Sequence, residues 1–359
     1  MDTAYFILAT FLVLATLVPL TAFQHWAVRG FDFGKIQLTI LESLTILGGF
    51  LWVERSAEFW ITQVVLLASQ TFNLSILLKY SRFYPIKPRD RQGRSSRAIT
   101  LLSANVLQFN TDYPRFLRQV QEHSPDLVLT MESNEDWDTA MRVLEAEYPH
   151  FCKVPLENTY GMHLYSKIPM TFQVHYFVAD DLPSIEAEVK TEDGYRFTLF
   201  CVHPPPPSPT EEETSKERDG ELLSVAQKVR ADGRTSIIVG DFNNVAWSRS
   251  SVLFRRASET IDPRVGRGFI ATFHARYWFL RFPIDQLFHT PDVFIEELKT
   301  LPYFGSDHFA LSCRFTIDHL DDTQEELVEE LEEGDEEVIE EMIEEGIEEE
   351  SDREEIATE

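Results

Sequence analysis

The hydrophobic residues of the N-terminal part occur in three long runs. The runs cover residues 4–23, 36–53 and 59–78, and the second is interrupted by Glu42. An apolar stretch of about 20 residues is long enough to cross a bilayer as a helix. The sequence therefore predicts a membrane region over residues 1–80 with about three transmembrane helices. Glu42 is either a functional carboxylate inside the membrane or a sign that the second run inserts poorly.

A basic linker separates this region from a body with a different pattern. Residues 81–97 are rich in arginine and contain proline, glycine and serine, as expected of a linker that can contact anionic head groups. Over 98–316, short apolar runs such as 98–107 and 126–133 predict strands, and the amphipathic segment 113–125 predicts a helix. Several neighbouring runs have no helix between them. The pattern predicts an α/β body with mixed sheets rather than a doubly wound parallel sheet.

Acidic residues are concentrated in the last segment, residues 317–359. From Asp318 to Glu359 there are 23 acidic residues and one basic residue, which accounts for −22 of the net charge of −28 and leaves −6 on the rest. So little positive charge makes duplex DNA a less favoured partner. Apolar pairs recur near helical spacing, but Glu–Glu repulsion weakens an isolated helix. The acidic tail is predicted to be disordered or conditionally helical, with a basic protein or the linker as its partner.

Most predicted strands of the body end in a side chain that can bind a metal ion or a phosphate. In chain order these side chains are Asn105, Glu132, His203, Asp241, Asn243, Asp285, Asp307 and His308. Carboxylate and amide oxygens suit a hard cation such as Mg²⁺. Imidazoles and amides can hold phosphoryl oxygens. Gathered at one edge of a sheet, these groups are the ingredients of metal-assisted phosphate chemistry. For Asp241 and Asn243 alone, a turn with Asx hydrogen bonds is the structural alternative.

The same segments resemble the endonuclease/exonuclease/phosphatase superfamily. The matching segments are SANV (103–106), TMES (130–133), GMHLYSKIP (161–169), CVHPPPP (201–207), VGDFNN (239–244), PIDQLF (283–288) and GSDH (305–308). One of them alone is a weak signal, but seven in order are specific. The opening SANV, the proline run and the N-terminal apolar runs look most like the bacterial membrane-anchored members. The resemblance implies a DNase I-like fold, which is a two-sheet α/β sandwich with flanking helices and a site at one end.

The resemblance also implies a metal site and its ligands. Glu132 corresponds to the principal Mg²⁺ ligand, and Asn105 and Asp307 complete or support the metal shell. Mn²⁺ is the alternative ion. The position two residues after Asn105 is often acidic in the nucleases of the superfamily, but Leu107 occupies it here, so one metal contact is missing.

The remaining site residues correspond to groups that act on the water and the phosphate. Asp241 would orient or deprotonate the attacking water, and Asn243 would hold the phosphate and help to place that water. His308 would lie at the scissile phosphate, oriented by Asp285. His203 would donate to a phosphoryl oxygen, although a solvated strand-end histidine is the alternative.

Two further positions bear on the substrate. Gln286 stands where His or Tyr is common in the superfamily, and that residue usually points towards the site. The aromatic and basic segment 275–282 precedes the strand of Asp285. It is a substrate rim, a membrane-facing loop or a partly buried loop, and the sequence does not choose among these interpretations.

These expectations combine into a membrane-anchored, Mg²⁺-dependent phosphoesterase. It would hydrolyse a phosphodiester or phosphomonoester, either a lipid head group, a small phosphodiester or a nucleic acid, and the tether favours membrane lipids. Seven basic residues follow the third apolar run between positions 79 and 97. By the positive-inside rule they predict a multi-pass protein of a bacterial inner membrane with a cytoplasmic catalytic domain. The alternative function is a catalytically silent membrane adaptor that binds partners through the same fold and the acidic tail.

Overall fold

A computed structural model describes residues 2–85, 97–349 and 351. Most of the predicted basic linker therefore lies outside the described residues. The N-terminal region forms four helices, which are α1 (Asp2–Leu17), α2 (Trp26–Phe33), α3 (Lys35–Trp52) and α4 (Ala57–Lys79). A 3-10 turn, Val18–Leu20, extends α1.

The three long N-terminal helices pack around a polar centre. Glu42 of α3 is fully buried, and its carboxylate accepts hydrogen bonds from Thr16 of α1 and from Ser69 and Asn73 of α4. By length and composition, the helices over Asp2–Leu20 and Ala57–Lys79 could cross a membrane. The second predicted run, which forms α3, does not reach the same apolar content.

The body consists of two mixed sheets packed face to face. Its strands are β1 (Ile99–Asn105), β2 (Leu127–Met131), β3 (His150–Val154), β4 (Met162–Ser166), β5 (Met170–His175), β6 (Ser184–Lys190), β7 (Arg196–Val202), β8 (Ser236–Asp241), β9 (Asp285–His289), β10 (Val293–Thr300) and β11 (Leu311–Ile317). One sheet has the order β10-β11-β1-β2-β4-β3, and the other has the order β5-β6-β7-β8-β9. Among the strands that the structure describes, β1 with β2 and β7 with β8 are the parallel pairs. The prediction of mixed sheets is confirmed.

Helices cover the outer faces of both sheets. They are α5 (Tyr113–His123), α6 (Glu135–Met141), α7 (Lys216–Asp232), α8 (Arg249–Ala257) and α9 (Asp335–Glu348). Successive side chains of a strand point to opposite faces. Accordingly, Leu101 of β1 lies in the core between the sheets, whereas Leu102 packs under α5 and α6. In the same way, Ile237 of β8 faces the other sheet and Ile238 packs under α7 and α8.

Part of the acidic tail is helical in this structure and packs on the body. Ile339 and Met342 of α9 are buried in the cluster beneath α7 and α8. Gly346 allows the close approach of the two helices, because a Cβ there would lie 2.8 Å from the carbonyl oxygen of Lys216. Lys216 Nζ also pairs with Glu349 at 2.7 Å. The apolar stripe of α9 is buried against α7, and this burial offsets the Glu–Glu repulsion that disfavours α9 in isolation.

Candidate active site

The sheet topology brings the predicted polar residues to one end of the sandwich. Asn105 closes β1 and stands opposite Met131 in the parallel partner β2, so Glu132 follows at the same edge. In the other sheet, Asp241 closes β8 and pairs in register with Asp285, the first residue of β9. His308 precedes β11, which is antiparallel to β1 and so enters the sheet from that edge.

Asn105 connects the carboxylates of the two sheets. Its Nδ2 donates to Glu132 Oε1 at 2.7 Å and to Asp241 Oδ2 at 3.1 Å. The other oxygen of Glu132 accepts from the backbone N–H of Gln108 at 3.1 Å. The Asn105 side-chain oxygen accepts from the backbone N–H of Leu107 at 3.0 Å. These bonds fix both carboxylates relative to each other.

His308 lies between two buried carboxylates. Its Nδ1 is 2.7 Å from Asp285 Oδ2, and its Nε2 is 3.5 Å from Asp241 Oδ2. Burial alone would lower the pKa of His308, but the charges of Asp285 and Asp241 raise it to about 10. The imidazole is therefore held in its protonated form near neutral pH. The contact with Asp285 is the orienting pair that the sequence predicts.

Two of the carboxyl groups also have raised pKa values. Burial raises the pKa of Glu132 to about 7, against the hydrogen bonds from Asn105 and Gln108, which lower it. Burial and the neighbouring charge of Asp285 also raise the pKa of Asp241. Both groups therefore bind protons more readily than an exposed carboxyl does.

The cluster carries more negative charge than its own cation can balance. Glu132, Asp241, Asp285 and Asp307 provide four carboxylates around the single imidazolium of His308. Asp285 Oδ1 is buried and has no hydrogen-bond partner among the described residues. One oxygen or nitrogen from each of Asp241, Asp285 and His308 lies within 4.8 Å of the others, and because a protonated His308 has no lone pair for a metal, the carboxylate oxygens are the candidate ligands. An oxygen-rich set of this charge fits a hard divalent cation.

Asn243, Asp307 and His203 are the predicted residues at the border of this cluster. The backbone N–H of Asn243 donates to Asp241 Oδ1 at 3.0 Å, and its side chain donates to Pro204 O at 2.9 Å. Asp307 is half-buried, and its charge contributes to the raised pKa of both Glu132 and His308. His203 is buried, and burial lowers its pKa to about 4, so it is neutral.

The chain makes sharp turns where the strands reach the site. Gly240 has φ 155°, and a Cβ there would lie 1.9 Å from the carbonyl oxygen of Val202. Glu132 and Asn243 have left-handed φ angles of 60° and 48°. Such angles cost energy in residues with a side chain and cluster at functional sites. At Glu132 the turn brings the carboxylate to Asn105, and at Asn243 it brings the side-chain amide to the carbonyl oxygen of Pro204.

The similarity of this chain to known proteins identifies its family. The Endonuclease/Exonuclease/phosphatase family profile matches residues 102–308, more than half of the chain. The chain belongs to this family. Its members are metal-dependent phosphoric ester hydrolases, so the protein is such an enzyme. No curated protein sequence matches at a significant level.

Solved structures agree on the DNase I-like fold. D. rerio TDP2 complexed with single-strand DNA product has a TM-score of 0.53 and 18% identity over 62% of this chain and 100% of its own. The human Nocturnin catalytic domain with bound sulfate has a TM-score of 0.51 and 16% identity, covering 63% and 97%. A family protein from Bacteroides thetaiotaomicron has a TM-score of 0.51 and 19% identity, covering 62% and 98%.

Within this family fold, one sequence expectation is wrong. Gln286 does not face the site. It alternates with Asp285 on β9, is fully buried, and donates from Nε2 to Asn244 O at 2.6 Å while accepting from Arg264 at 2.9 Å. Successive side chains of a strand point to opposite faces, so Gln286 packs under α8 while Asp285 faces the cluster.

Two residues of the site were missed in the sequence. Gln108 closes the loop beside Glu132 by donating to Glu157 O at 2.8 Å and accepting from Thr159 N at 2.9 Å. Arg218 of α7 is buried and donates to Asn243 O at 3.2 Å. No local signal marks either residue, and a buried arginine within a charged helix looks like a surface residue in the sequence.

Proposed function

We propose that the protein is a membrane-anchored, Mg²⁺-dependent phosphoesterase that acts at the membrane surface, with a lipid head group as the favoured substrate. The observation that carries this proposal is a loop that joins the active site to the apolar N-terminal helices. Gln37 of α3 donates from Nε2 to Phe279 O at 2.8 Å. In the same loop, the N–H of Ala275 donates to the carbonyl oxygen of Asp307.

The N-terminal helices have the inside-out pattern expected in lipid. Their interior holds the polar centre around Glu42, whereas large apolar side chains such as Ile7, Leu47, Ile61 and Val64 are more than 60% exposed. An exposed apolar belt of this size on a water-soluble protein would cause aggregation. In a bilayer it would contact acyl chains, and the polar centre would hold the helices together.

The charges at the two ends of these helices support a cytoplasmic catalytic domain. Lys35 begins α3 and Lys79 ends α4, both at the end that carries the body. The loop at the opposite end has Arg55 between Glu54 and Glu58. A basic excess on the domain side agrees with the positive-inside rule for a multi-pass protein of a bacterial inner membrane.

The loop between the site and α3 has an exposed aromatic tip. Tyr277, Phe279 and Leu280 are exposed, and Trp278 is 82% exposed. Arg276 in the same loop donates to Gly305 O at 3.2 Å, beside the active-site segment. Tyrosine and tryptophan are enriched at the membrane–water boundary. This loop favours a substrate embedded in the bilayer over duplex DNA.

The residues of the site support hydrolysis by water. Mg²⁺, held by Glu132 with Asn105 and Asp307 in support and with Mn²⁺ as the alternative, would neutralise charge on the phosphate and polarise it. Asp241 orients the attacking water and accepts its proton, a role to which its raised pKa is suited. Asn243 holds the phosphate beside that water.

The two histidines act on the negative charge that develops on the phosphoryl oxygens. His308, kept protonated by Asp285, supplies a positive charge where the reaction needs it. His203 is neutral, and its buried Nδ1 has no hydrogen-bond partner among the described residues, so its ring can offer an N–H donor near Asp241. Buried donors of this kind stabilise a transition state more than they would in water, because the surroundings have a low dielectric constant.

The test is hydrolysis of bis-p-nitrophenyl phosphate by the full chain in detergent, with Mg²⁺ and with a chelator. Glu132→Ala should reduce the Mg²⁺-dependent rate by at least about 100-fold, since it removes a metal ligand. Glu297→Ala, at an exposed carboxylate on β10, is the matched control and should retain the rate. The absence of Mg²⁺-dependent turnover, or a rate that is equal in Glu132→Ala, would instead support the catalytically silent adaptor.

A substrate panel then identifies the ester. Phospholipid vesicles, inositol phosphates, RNA and single-stranded and duplex DNA are compared with the same preparation. Faster hydrolysis of a phospholipid in a bilayer than of its water-soluble head-group analogue is the expected result. Preference for a nucleic acid would contradict the lipid proposal and leave the phosphoesterase chemistry intact.

A further inference from the structure

A cavity apart from the active site lies where the N-terminal helices, the body and the acidic tail meet. Its volume is about 350 Å³, and none of the eight predicted site residues lines it. Leu20 and Ile76 form an apolar wall at the domain-side ends of the first and last long N-terminal helices. Trp247 of the body and Val338 of α9 line other parts of it. The cavity therefore opens at the level where the proposed membrane surface meets the body.

The cavity is lined by two cations that make no hydrogen bond or ion pair with the described residues. Lys35 and Arg249 both line it, and Lys35 is only 2% exposed. Among the residues that the structure describes, neither side chain has a hydrogen bond or an ion pair, and the Nζ of Lys35 lies 5.7 Å from the centre of the Phe72 ring. A buried ammonium group without a hydrogen-bond partner is unfavourable. An anion in the cavity would remove that penalty.

The lining holds two acidic residues, Asp32 and Asp335, against three cations. Asp335 Oδ2 is 3.2 Å from Arg256, the third cation of the lining. The Asp32 carboxylate lies 3.8 Å from Arg29, which is outside the cavity lining. Lys35 is the strongest cationic neighbour of Asp32, so its charge is partly balanced, whereas Arg249 has no such neighbour in the lining. The cavity therefore keeps an excess of positive charge.

Three helices begin at this cavity and add to its positive potential. Lys35 is the first residue of α3, Arg249 the first of α8 and Asp335 the first of α9. The N-cap residues of α3 and α9, Gly34 and Gly334, have no side chain to accept from the first N–H groups. Free N–H groups and the helix dipole favour phosphate at such termini.

We propose that this cavity binds the phosphate of an anionic phospholipid, with Lys35 and Arg249 as its charged ligands. The apolar wall of Leu20 and Ile76 would accept the first part of the acyl chains. This assignment uses the membrane location of the proposed function, but it does not require catalysis. It also explains how two cations can stay at the junction between the membrane helices and the body.

Native mass spectrometry of the full chain tests the proposal directly. Protein in detergent is titrated with phosphatidylglycerol and, separately, with phosphatidylcholine, and bound lipid is counted per chain. We expect one tightly held phosphatidylglycerol and no comparable phosphatidylcholine. Lys35→Gln and Arg249→Gln should each weaken binding by about tenfold or more, as expected for the loss of one charged hydrogen bond.

Matched variants separate this site from general charge attraction. Lys79→Gln removes an exposed lysine at the same membrane end, outside the cavity, and should bind phosphatidylglycerol like the wild type. Lys35→Arg keeps the charge and should retain binding. Arg249→Gln changes a half-buried residue at a helix start, so it tests the site even if Lys35→Gln does not fold.

A third arm distinguishes a lipid from free phosphate. Inorganic phosphate at the same concentration should not displace phosphatidylglycerol, because it cannot contact the apolar wall. Binding of inorganic phosphate alone with full affinity would overturn the lipid assignment. Equal retention of the two lipids, or unchanged binding in both variants, would overturn the site. Because the experiment measures bound lipid and not turnover, its outcomes can be interpreted even if the phosphoesterase proposal fails.

Discussion

Asn105 and Asp241 connect the two sheets of the sandwich at the active site. The amide Nδ2 of Asn105 is 3.1 Å from Asp241 Oδ2, and the two residues close β1 and β8, which belong to different sheets. The same amide group binds Glu132 at 2.7 Å. A single side chain thus sets the distance between the predicted metal ligand and the predicted water-orienting residue.

Replacement of Asn105 should therefore impair catalysis. In Asn105→Ala, two charge-assisted hydrogen bonds are lost, each worth about 1.5–3 kcal/mol, so we expect a fall in kcat of at least about tenfold. The apparent Mg²⁺ affinity should fall as well. Steady-state kinetics at several Mg²⁺ concentrations provide the measurement.

Asn158→Ala is a suitable control for this variant. Asn158 is a half-buried loop asparagine that binds Asp181 at 3.2 Å rather than a site carboxylate. Its replacement should leave kcat and the Mg²⁺ dependence unchanged. An Asn105→Ala enzyme with the kinetics of this control would show that Asn105 does not hold the two carboxylates in the active state.

Asp285 should control the protonation of His308. Its charge is the main reason that the pKa of His308 rises to about 10 despite burial. Asp285→Asn removes that charge, so the pKa should move down towards the ordinary value near 6.5. If the reaction needs the imidazolium, activity of the variant should fall as pH rises above about 7, whereas wild-type activity should persist to higher pH.

A second Asp–His pair on the same body provides the comparison. Asp292 lies 2.9 Å from His319 on an exposed surface. Asp292→Asn should leave the pH–rate profile unaltered. The two variants are measured from pH 6 to pH 10 at saturating Mg²⁺, and identical profiles for Asp285→Asn and wild type would exclude a role for the His308 charge in the rate.

Metal affinity should increase with pH through the range where Glu132 loses its proton. Burial raises the pKa of Glu132 to about 7, so a proton competes with the metal below that pH. We expect apparent Mg²⁺ or Mn²⁺ affinity to fall by up to about tenfold per pH unit below 7 and to level off above it. Calorimetric titration at pH 6, 7 and 8 measures this, and Glu132→Gln should abolish the dependence together with most of the binding.

The end of each strand could be predicted because its signal is local. Apolar runs that stop at Asn105, Glu132 or Asp241 define both a strand and the polar group at its edge, and parallel neighbours bring such groups together. The pairing of Asp285 with Asp241 required only that β9 run antiparallel to β8. The order of the motifs, rather than any one of them, identified the family.

Contacts between distant segments could not be predicted in this way. Gln286 points to the face of β9 opposite to that of Asp285, because successive side chains of a strand alternate. A superfamily comparison does not show which of these two neighbours faces the site in this chain. The helix of the acidic tail depends on an apolar face of α7 more than 100 residues earlier in the sequence. Arg218 is buried and close enough to Arg29 and Asp32 of α2 to interact with their charges, so a residue typical of the surface becomes part of the buried site.

Arg218 should act as a positioning residue for Asn243. Its guanidinium donates to the carbonyl oxygen of Asn243 at 3.2 Å and pairs with Asp219 at 2.8 Å. Asn243 has a left-handed φ of 48°, a conformation that needs support from its surroundings. Arg218→Lys keeps the charge but loses the planar, multiply donating group. We expect kcat to fall by about tenfold while Mg²⁺ affinity stays the same, since Glu132 has no contact with Arg218.

The control for Arg218 lies on the same helix. Arg230 is exposed and pairs with Glu259 at 3.1 Å at the surface, so Arg230→Lys should be kinetically silent. Thermal unfolding is recorded for both variants. A loss of kcat in Arg218→Lys that is matched by an equal loss of Mg²⁺ affinity would indicate general disruption of the site. A loss of kcat alone would show that Arg218 acts by positioning the phosphate-holding Asn243. Because its neighbour Asp219 lies close to Arg29 of α2, Arg218 would also connect the reaction centre to the N-terminal helices.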